Sequence, residues 1–454
     1  MKNSELIEHI EEKYDVKSIQ YNSLSLWLEL RNRIFTAISL GQESTLKINT
    51  QTYKTILFTV FYGFFNWFKR YDTWILSSKI NRLNIEGKYH DRLYEYIGTK
   101  FNKTLFIEAT TDSHYNRKKV ASKYIVSKSS LILIEKFVSL FIRTKHIDLS
   151  IIGEINKDFN IDFNPTYAIK KMISQYRVMR FLLWFKKPKV VFLSPAYTAY
   201  GYVKAFKENG VKVVEVQHGV ILKEHFGYNV YKKFDRDYFV DYLLTFGEQE
   251  MDTFKYTNGI SYNNIVPVGN YYLDYISDNF KPDKKLNEIL HKYKKSFVVS
   301  LQEIDKTKSL VSNIIESAKQ NPDCIFIFKP RKKSIIDYGV EYDKLENVIF
   351  IEEIDIYQLI MQTDFHITVY STCALEAPAL GKKNILFNIN NLSKSIFETT
   401  LTNQITTVFV DNLDEFNKLI KNLNVQNRKE ILNAHGSVMK SGYKSNIDTF
   451  IKGL

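Results

Sequence analysis

From Lys189 onward the hydrophobic positions fall into short apolar runs separated by stretches with apolar residues at helical spacing. Val190–Leu193, Val211–Val216, Tyr242–Phe246 and Ile265–Val268 read as strands. Between them the spacing predicts a helix over Ala199–Asn209, closed by Gly210, and another around Glu248–Tyr256. Ser277–Lys295 is polar, holds Pro282, and reads as a linker plus one helix. The pattern then resumes with strands at Phe297–Leu301, Ile325–Phe328, Val348–Ile351, Phe365–Tyr370, Asn384–Phe387 and Thr407–Val410. Helices fall at Leu310–Gln320, Ile356–Gln362 and Cys373–Leu380, with more to the end. Strands alternating with helices imply parallel sheets covered on both faces. The expected fold class is α/β, with two Rossmann-like doubly wound domains whose strand C-termini face one cleft.

The first third is less regular. Met1–Asn49 reads as mostly helical, with apolar residues at helical spacing over Leu24–Leu40. Tyr71–Ser78 and Thr104–Ile107 read as strands, separated by a polar loop with a turn at Gly87 and a helix over Asp91–Ile97. Val126–Arg143 reads as an amphipathic helix, and Asp158–Phe185 holds at least one more before Pro188. The expected division is an N-terminal helical extension over 1–70, a first Rossmann-like domain over 71–276 and a second over 277–454. Thr55–Phe68, TILFTVFYGFFNWF, lies between Lys54 and Lys69-Arg70. At about fourteen residues it is short of the roughly twenty a spanning helix needs. It is expected to be either buried core or an interfacial contact with Trp67 and the cations at headgroup level.

The chain has 454 residues, of which 44% are hydrophobic, so two ordinary domains with real cores fit. Few Gly and Pro, and no internal repeat, exclude collagenous and low-complexity designs. The two cysteines, Cys324 and Cys373, have no disulfide or metal-ligand spacing. Together with a charged N-terminus lacking an apolar signal core, this points to a reducing, cytoplasmic location. The net charge of +13 favours anionic partners. The excess is locally dense at Lys170, Lys171, Arg177, Arg180, Lys186, Lys187 and Lys189. No zinc-finger spacing or RNP-type aromatic motif accompanies it, so nucleic acid is not the expected partner.

Candidate chemistry gathers at strand ends. In Asp364–Phe387 a strand runs into Ser371-Thr372, both N-cap types, then a helix carrying Glu376 and stopped by Gly381. Free N–H groups at such a turn suit a phosphate. Thr372 and Glu376, four apart, are expected to share a face, with the carboxylate on a ribose. Lys329 and Arg331 flank Pro330 after another strand and would offset nucleotide charge. His218, in Gln217-His218-Gly219, could take an acceptor proton or bind a phosphate. Glu108, ending the second strand, is the other candidate base, with Arg82 and Asp91 as acceptor contacts. No Asp-x-Asp pair stands at a strand end, so neither a metal nor another cofactor is expected.

Four stretches carry a resemblance: VVEVQHGV (Val213–Val220), IVPVGNYYLDY (Ile265–Tyr275), IFIFKPRKK (Ile325–Lys333) and the Thr363–Phe387 segment. Together they resemble GT-B glycosyltransferases of bacterial surface-polysaccharide synthesis. The likeness is nearest to the capsule-type sialic-acid and Kdo transferases and more distant to teichoic-acid polymerases. It covers Lys189–Val410 fairly well and the first third loosely. It implies a glycosyltransferase, inverting and metal-independent, moving a sugar from a nucleotide-sugar to a glycan or lipid-linked glycan of capsule or lipopolysaccharide. The C-terminal domain would hold the donor and the N-terminal domain the acceptor, in the cytoplasm or peripherally on the inner membrane face. Many relatives carry Lys-Pro-His-Pro where this chain has Lys329-Pro330-Arg331-Lys332. The missing histidine weakens a CMP-sugar assignment but leaves phosphate binding intact. The alternatives are a teichoic-type polyol-phosphate transferase, a nucleotide-sugar 2-epimerase and a non-catalytic subunit of a capsule complex.

Overall fold

The computed structural model describes residues 3–40, 50–221, 225–254, 257–302, 304–330 and 345–454. The chain forms two compact units. The first comprises Met1–Thr245, Glu250–Pro267 and Ile447–Leu454, and the second Phe246–Gln249 and Val268–Asn446.

The first unit is built on a seven-stranded sheet. Its strands lie side by side in the order Ile265–Pro267, Tyr242–Thr245, Lys212–Val216, Val190–Leu193, Thr73–Ser78, Thr104–Ala109, Ile125–Ser127. Every neighbouring pair is parallel. Counted in chain order, and read from the Ile125–Ser127 edge, this is 3-2-1-4-5-6-7, the Rossmann arrangement with one strand added. The order reverses between Thr73–Ser78 and Val190–Leu193, where open sheets leave a crevice outside the strand C-termini. The strands are mostly apolar because both sheet faces are covered: all of Val190–Leu193 is buried, and only Lys212 of Lys212–Val216 is exposed.

The described part of the 1–70 segment packs into this unit. Helices Asn3–Lys13 and Trp27–Leu40 bury Ile7, Ile10, Leu28 and Ile34 in one cluster with Ile152, Phe163 and Ile169. The fully buried Arg31 donates through Nε to Glu11 at 2.8 Å, and Trp27 Nε1 donates to the same carboxylate oxygen at 3.0 Å.

Thr55–Phe68 is broken rather than continuous. A helix over Thr50–Thr59 and a 3-10 turn over Phe64–Phe68 meet at Gly63, which has φ +70°. A Cβ there would lie 1.9 Å from the Ile125 carbonyl oxygen, so only glycine fits. Thr55, Ile56, Thr59, Val60 and Asn66 are buried, while Leu57, Phe58, Phe61, Phe65 and Phe68 are exposed. Among the described residues no helix is long and apolar enough to cross a membrane.

Two expectations for this region are corrected. The polar stretch after the first strand is a β-hairpin, Arg82–Ile85 against Lys88–Asp91. Its turn residues Glu86 and Gly87 both have positive φ, the geometry whose twist matches paired strands. The helix expected from Val126 starts later, at Ser129. Ile125–Ser127 is instead an edge strand beside Thr104–Ala109, and the helix ends at Leu140.

The second unit holds a six-stranded sheet in the order Val348–Phe350, Cys324–Lys329, Lys295–Ser300, Phe365–Thr368, Lys383–Phe387, Thr407–Val410. All its pairs are parallel. In chain order this is 3-2-1-4-5-6. The reversal falls between Lys295–Ser300 and Phe365–Thr368. Phe326 and Phe365 stack on Phe297 in its core, and Phe416 meets Phe297 edge-on. The expected α/β class, with two Rossmann-like doubly wound units, is the fold of this chain.

Candidate active site

In the first unit the strand Val190–Leu193, on one side of the reversal, ends in Ser194. The next strand, Lys212–Val216, ends in Gln217-His218-Gly219. Gln217 is fully buried, and its Nε2 donates to the Gly219 carbonyl and to Glu250 Oε1, both at 2.9 Å. These bonds fix the turn, so His218 emerges from it exposed. Its Nδ1 lies 3.0 Å from Ser194 Oγ. Partial burial of the ring, and then the nearby Arg92 charge, hold its pKa below the usual histidine range. Near it His225 is pushed down to about 4, first by burial and then by His218.

Glu108, Arg82 and Asp91 sit elsewhere in this unit and form a different kind of site. Glu108 is fully buried rather than facing outward. One oxygen accepts from Arg82 Nε and the other lies 2.7 Å from His114 Nδ1. His114 Nε2 lies 2.9 Å from Ser127 Oγ, and Tyr62 stacks on the ring at 4.2 Å. Arg82 Nη1 also reaches Ser122 Oγ and the Tyr89 carbonyl, both at 3.2 Å. Asp91 Oδ1 accepts from the Leu93 and Tyr94 N–H groups at 2.9 and 3.1 Å, closing the turn after the hairpin. Burial pushes the Glu108 carboxyl up, but the His114 bond and the Arg82 charge outweigh it and hold the pKa below the usual range. Burial raises Asp91 to about 7. Of the three residues expected at a ligand-facing surface, Arg82 and Glu108 therefore form an enclosed pair that ties the hairpin to the sheet, and Asp91 closes the hairpin's following turn.

In the second unit, Ser371 and Thr372 follow the strand on one side of the reversal. Gln302 follows the strand on the other side and donates through Nε2 to the Tyr370 carbonyl at 3.4 Å. The helix spans Cys373–Ala379, and Gly381 closes it with φ +80°. Ser371 Oγ accepts from the Cys373 N–H at 3.2 Å, whereas Thr372, at the N-cap position, makes no side-chain cap bond. Thr372 is exposed and Glu376 buried, so the two do not present one face to solvent. Lys329 ends the strand two places along the sheet. Its Nζ donates to the Glu352 carbonyl at 2.5 Å. Burial lowers its pKa against the pull of Asp355, Glu352 and Glu353. Arg331 lies outside the described residues.

Three polar residues missed in the sequence set this turn in place. His366, fully buried within an apolar strand, has Nε2 2.9 Å from Ser300 Oγ and Nδ1 2.8 Å from Asn384 Oδ1. Asn384 Nδ2 donates to the Ala374 carbonyl, and His435 Nε2 lies 2.7 Å from the Leu375 carbonyl. The short helix is thus tied both to the sheet and to helix Arg428–His435. Burial holds His366 and His435 at about 4 despite those bonds, so both are neutral at neutral pH. The available signal was a histidine interrupting an apolar strand. Among the described residues no group of three or more His, Cys, Asp or Glu side chains is placed to hold a metal ion.

No model of a known protein family matches the sequence, and no curated protein matches it. Solved structures do overlap it. UDP-GlcNAc 2-epimerase from Neisseria meningitidis, bound to UDP-GlcNAc, covers 84% of this chain and 98% of its own, at TM-score 0.49 and 13% identity. The Methanocaldococcus jannaschii UDP-GlcNAc 2-epimerase, in complex with UDP-GlcNAc and UDP, covers 84% and 99%, at TM-score 0.46 and 14% identity. The wall teichoic acid polymerase TagF covers 94% and 98%, at TM-score 0.46 and 13% identity. Each unit of this chain has the Rossmann-type strand order described above; the likenesses, at such identities, assign no residue a role.

Proposed function

We propose that the chain is a nucleotide-sugar-dependent glycosyltransferase of the GT-B class, acting on a capsule or lipopolysaccharide acceptor with inversion and without a metal. The observation that carries it is the coincidence of candidate chemistry with both switch points. Ser194 and His218 stand by the reversal in the first sheet, and Ser371 and Thr372 at the reversal in the second. In this reading the second unit binds the donor. Ser371, Thr372 and the following N–H groups face the diphosphate, and Lys329 and Arg331 balance its charge as the nucleotide departs. Glu376, buried behind the turn, positions it.

The acceptor belongs to the first unit, with His218 as the base. Its depressed pKa keeps the imidazole neutral and able to take a proton at neutral pH. In the tautomer whose Nδ1–H donates to Ser194 Oγ, Nε2 carries the lone pair and faces the acceptor hydroxyl. Arg82, Asp91 and Glu108 support the sheet end from within rather than touching the acceptor. The acceptor is a glycan or lipid-linked glycan, met at the inner face of the membrane.

The test is product analysis with purified protein, a panel of UDP-, CMP-, CDP- and GDP-linked donors and membrane-derived acceptor. Acceptor-dependent nucleotide release with a glycan product supports the proposal. An epimer formed without acceptor would replace it with the 2-epimerase reading, and polyol-phosphate transfer from a CDP-linked donor with the teichoic one. No nucleotide release with any donor and acceptor would leave a non-catalytic subunit.

A further inference from the structure

In the first unit three segments distant in sequence place exposed apolar side chains on adjoining elements. Phe58 and Phe65 are 86% and 79% exposed, on either side of Gly63. Helix Ser129–Leu140 adds Leu133, Ile134, Phe137 and Leu140, and Phe141 follows it. Their spacing of i, i+1, i+4, i+7, i+8 makes one continuous stripe, the pattern of a buried helix face, but turned to solvent. The end of helix Thr166–Phe185 contributes Phe181, Trp184 (80% exposed) and Phe185.

These segments are locked together. Thr59 Oγ1 lies 2.7 Å from Ser129 Oγ, and Trp67 Nε1 donates to Ser130 Oγ at 2.9 Å. Lys186 Nζ donates to the Trp67 carbonyl, and its cation sits 5.8 Å from the Phe68 ring. An apolar expanse of this extent on rigid elements marks a docking surface.

Charge identifies what docks. Lys54, Lys69 and Arg70 bracket the first segment, Lys136, Arg143 and Lys145 lie on or just beyond the second, and Arg177, Arg180 and Lys187 border the third. Across 50–71, 129–145 and 166–189 there is one acidic residue, Glu135. It is buried and accepts from the Tyr202 hydroxyl. Burial lowers the Lys136 pKa, consistent with an ammonium set among apolar neighbours. Aromatic side chains flanked by cations on the same three segments match an anionic lipid surface, where rings enter the headgroup boundary and Lys and Arg meet phosphates. A protein partner of mixed charge would call for acids in the rim.

We propose that this face docks the protein, without spanning, onto an anionic lipid bilayer. The surface needs no transfer activity, so binding and turnover are read separately. The full-length protein is sedimented with vesicles of phosphatidylcholine alone and with vesicles containing 30–40% phosphatidylglycerol (about the charge density of a bacterial membrane). Binding is expected to the anionic vesicles, weakened at least tenfold by 0.5 M salt. The triple variant Phe58→Ser/Phe65→Ser/Trp184→Ser should lose at least tenfold in partition while keeping its circular dichroism, since all three side chains are exposed. The variant Lys69→Glu/Arg70→Glu/Lys187→Glu should lose the preference for anionic lipid. Wild-type protein that ignores both vesicle types overturns the proposal. So does unchanged partition of the triple variant. A wild-type dimer that the triple variant makes monomeric, with equal lipid binding, also overturns it and assigns the face to a second copy.

Discussion

His218 Nδ1 and Ser194 Oγ, 3.0 Å apart, join the C-terminal ends of two neighbouring parallel strands beside the point where the first sheet reverses. The serine hydroxyl orients the ring, and in the tautomer with hydrogen on Nδ1 it leaves Nε2 for chemistry. His218→Ala should therefore reduce turnover by on the order of a hundredfold to ten-thousandfold with donor affinity nearly unchanged. Ser194→Ala should cost less in rate. Because the histidine pKa lies below its ordinary range, wild-type turnover should be flat near neutrality and fall only below about pH 6.5. Ser194→Ala should move that acid limb. Equal loss of donor affinity in His218→Ala would mean the ring binds phosphate instead.

Glu108 is expected to matter for stability before catalysis. Arg82 and Glu108 are both fully enclosed, so Glu108→Ala leaves a buried guanidinium without its nearest carboxylate and with only the longer 3.5 Å contact to Glu95, a loss of about 3–5 kcal/mol. Replacing both by Met and Leu should recover much of it. Since the folded carboxyl sits below its unfolded pKa of about 4.3, its contribution is present above that pH and disappears as pH falls through the folded value. Urea unfolding of the single and double variants between pH 3 and 7 measures this. Near-wild-type stability of Glu108→Ala with no turnover would restore the carboxylate as the base.

Glu215 gives the opposite slope. It is buried among aromatic residues, accepts from the Tyr228 hydroxyl at 2.7 Å, and burial raises its pKa to about 7. A raised folded pKa means stability present at low pH and lost as pH rises, here between the unfolded value of about 4.3 and 7. The loss should run at about 1.4 kcal/mol per pH unit from this group. Glu215→Gln keeps an acceptor for Tyr228 and should remove that slope, leaving the variant more stable than wild type at pH 8. Parallel pH profiles for the two proteins would contradict the assignment.

In the proposed reading, donor binding should separate from proton transfer. Thr372→Ala and Lys329→Ala should raise the donor KM severalfold to tenfold, with kcat for saturating donor less affected. Asn384→Leu should do the same without touching the ligand, because it releases the Ala374 carbonyl that holds the short helix. Calorimetric titration with nucleoside diphosphates checks all three. Unaltered affinity in every variant would move the donor away from this turn.

The alternation of apolar runs and helical spacing set the class of fold, since a strand buried on both faces is apolar along most of its length. Strand after strand from Val190 to Val410 lies within a residue or two of its sequence expectation. Short elements were less legible. Ile125–Ser127 has too few residues to show a period, and the hairpin of Arg82–Asp91 carries polar side chains because one buried ion-pair network, not an apolar face, holds it. His218 and Thr372 were legible because they stand at strand ends beside glycine or helix-start signals. What the tertiary structure decided was burial and partnership. Glu108 and His218 both follow apolar strands, yet one is enclosed by Arg82 and His114 while the other emerges beside Ser194. Local sequence is nearly the same in kind at the two places; Arg82 from the hairpin and His114 from the following loop close over the first, while the second stays open.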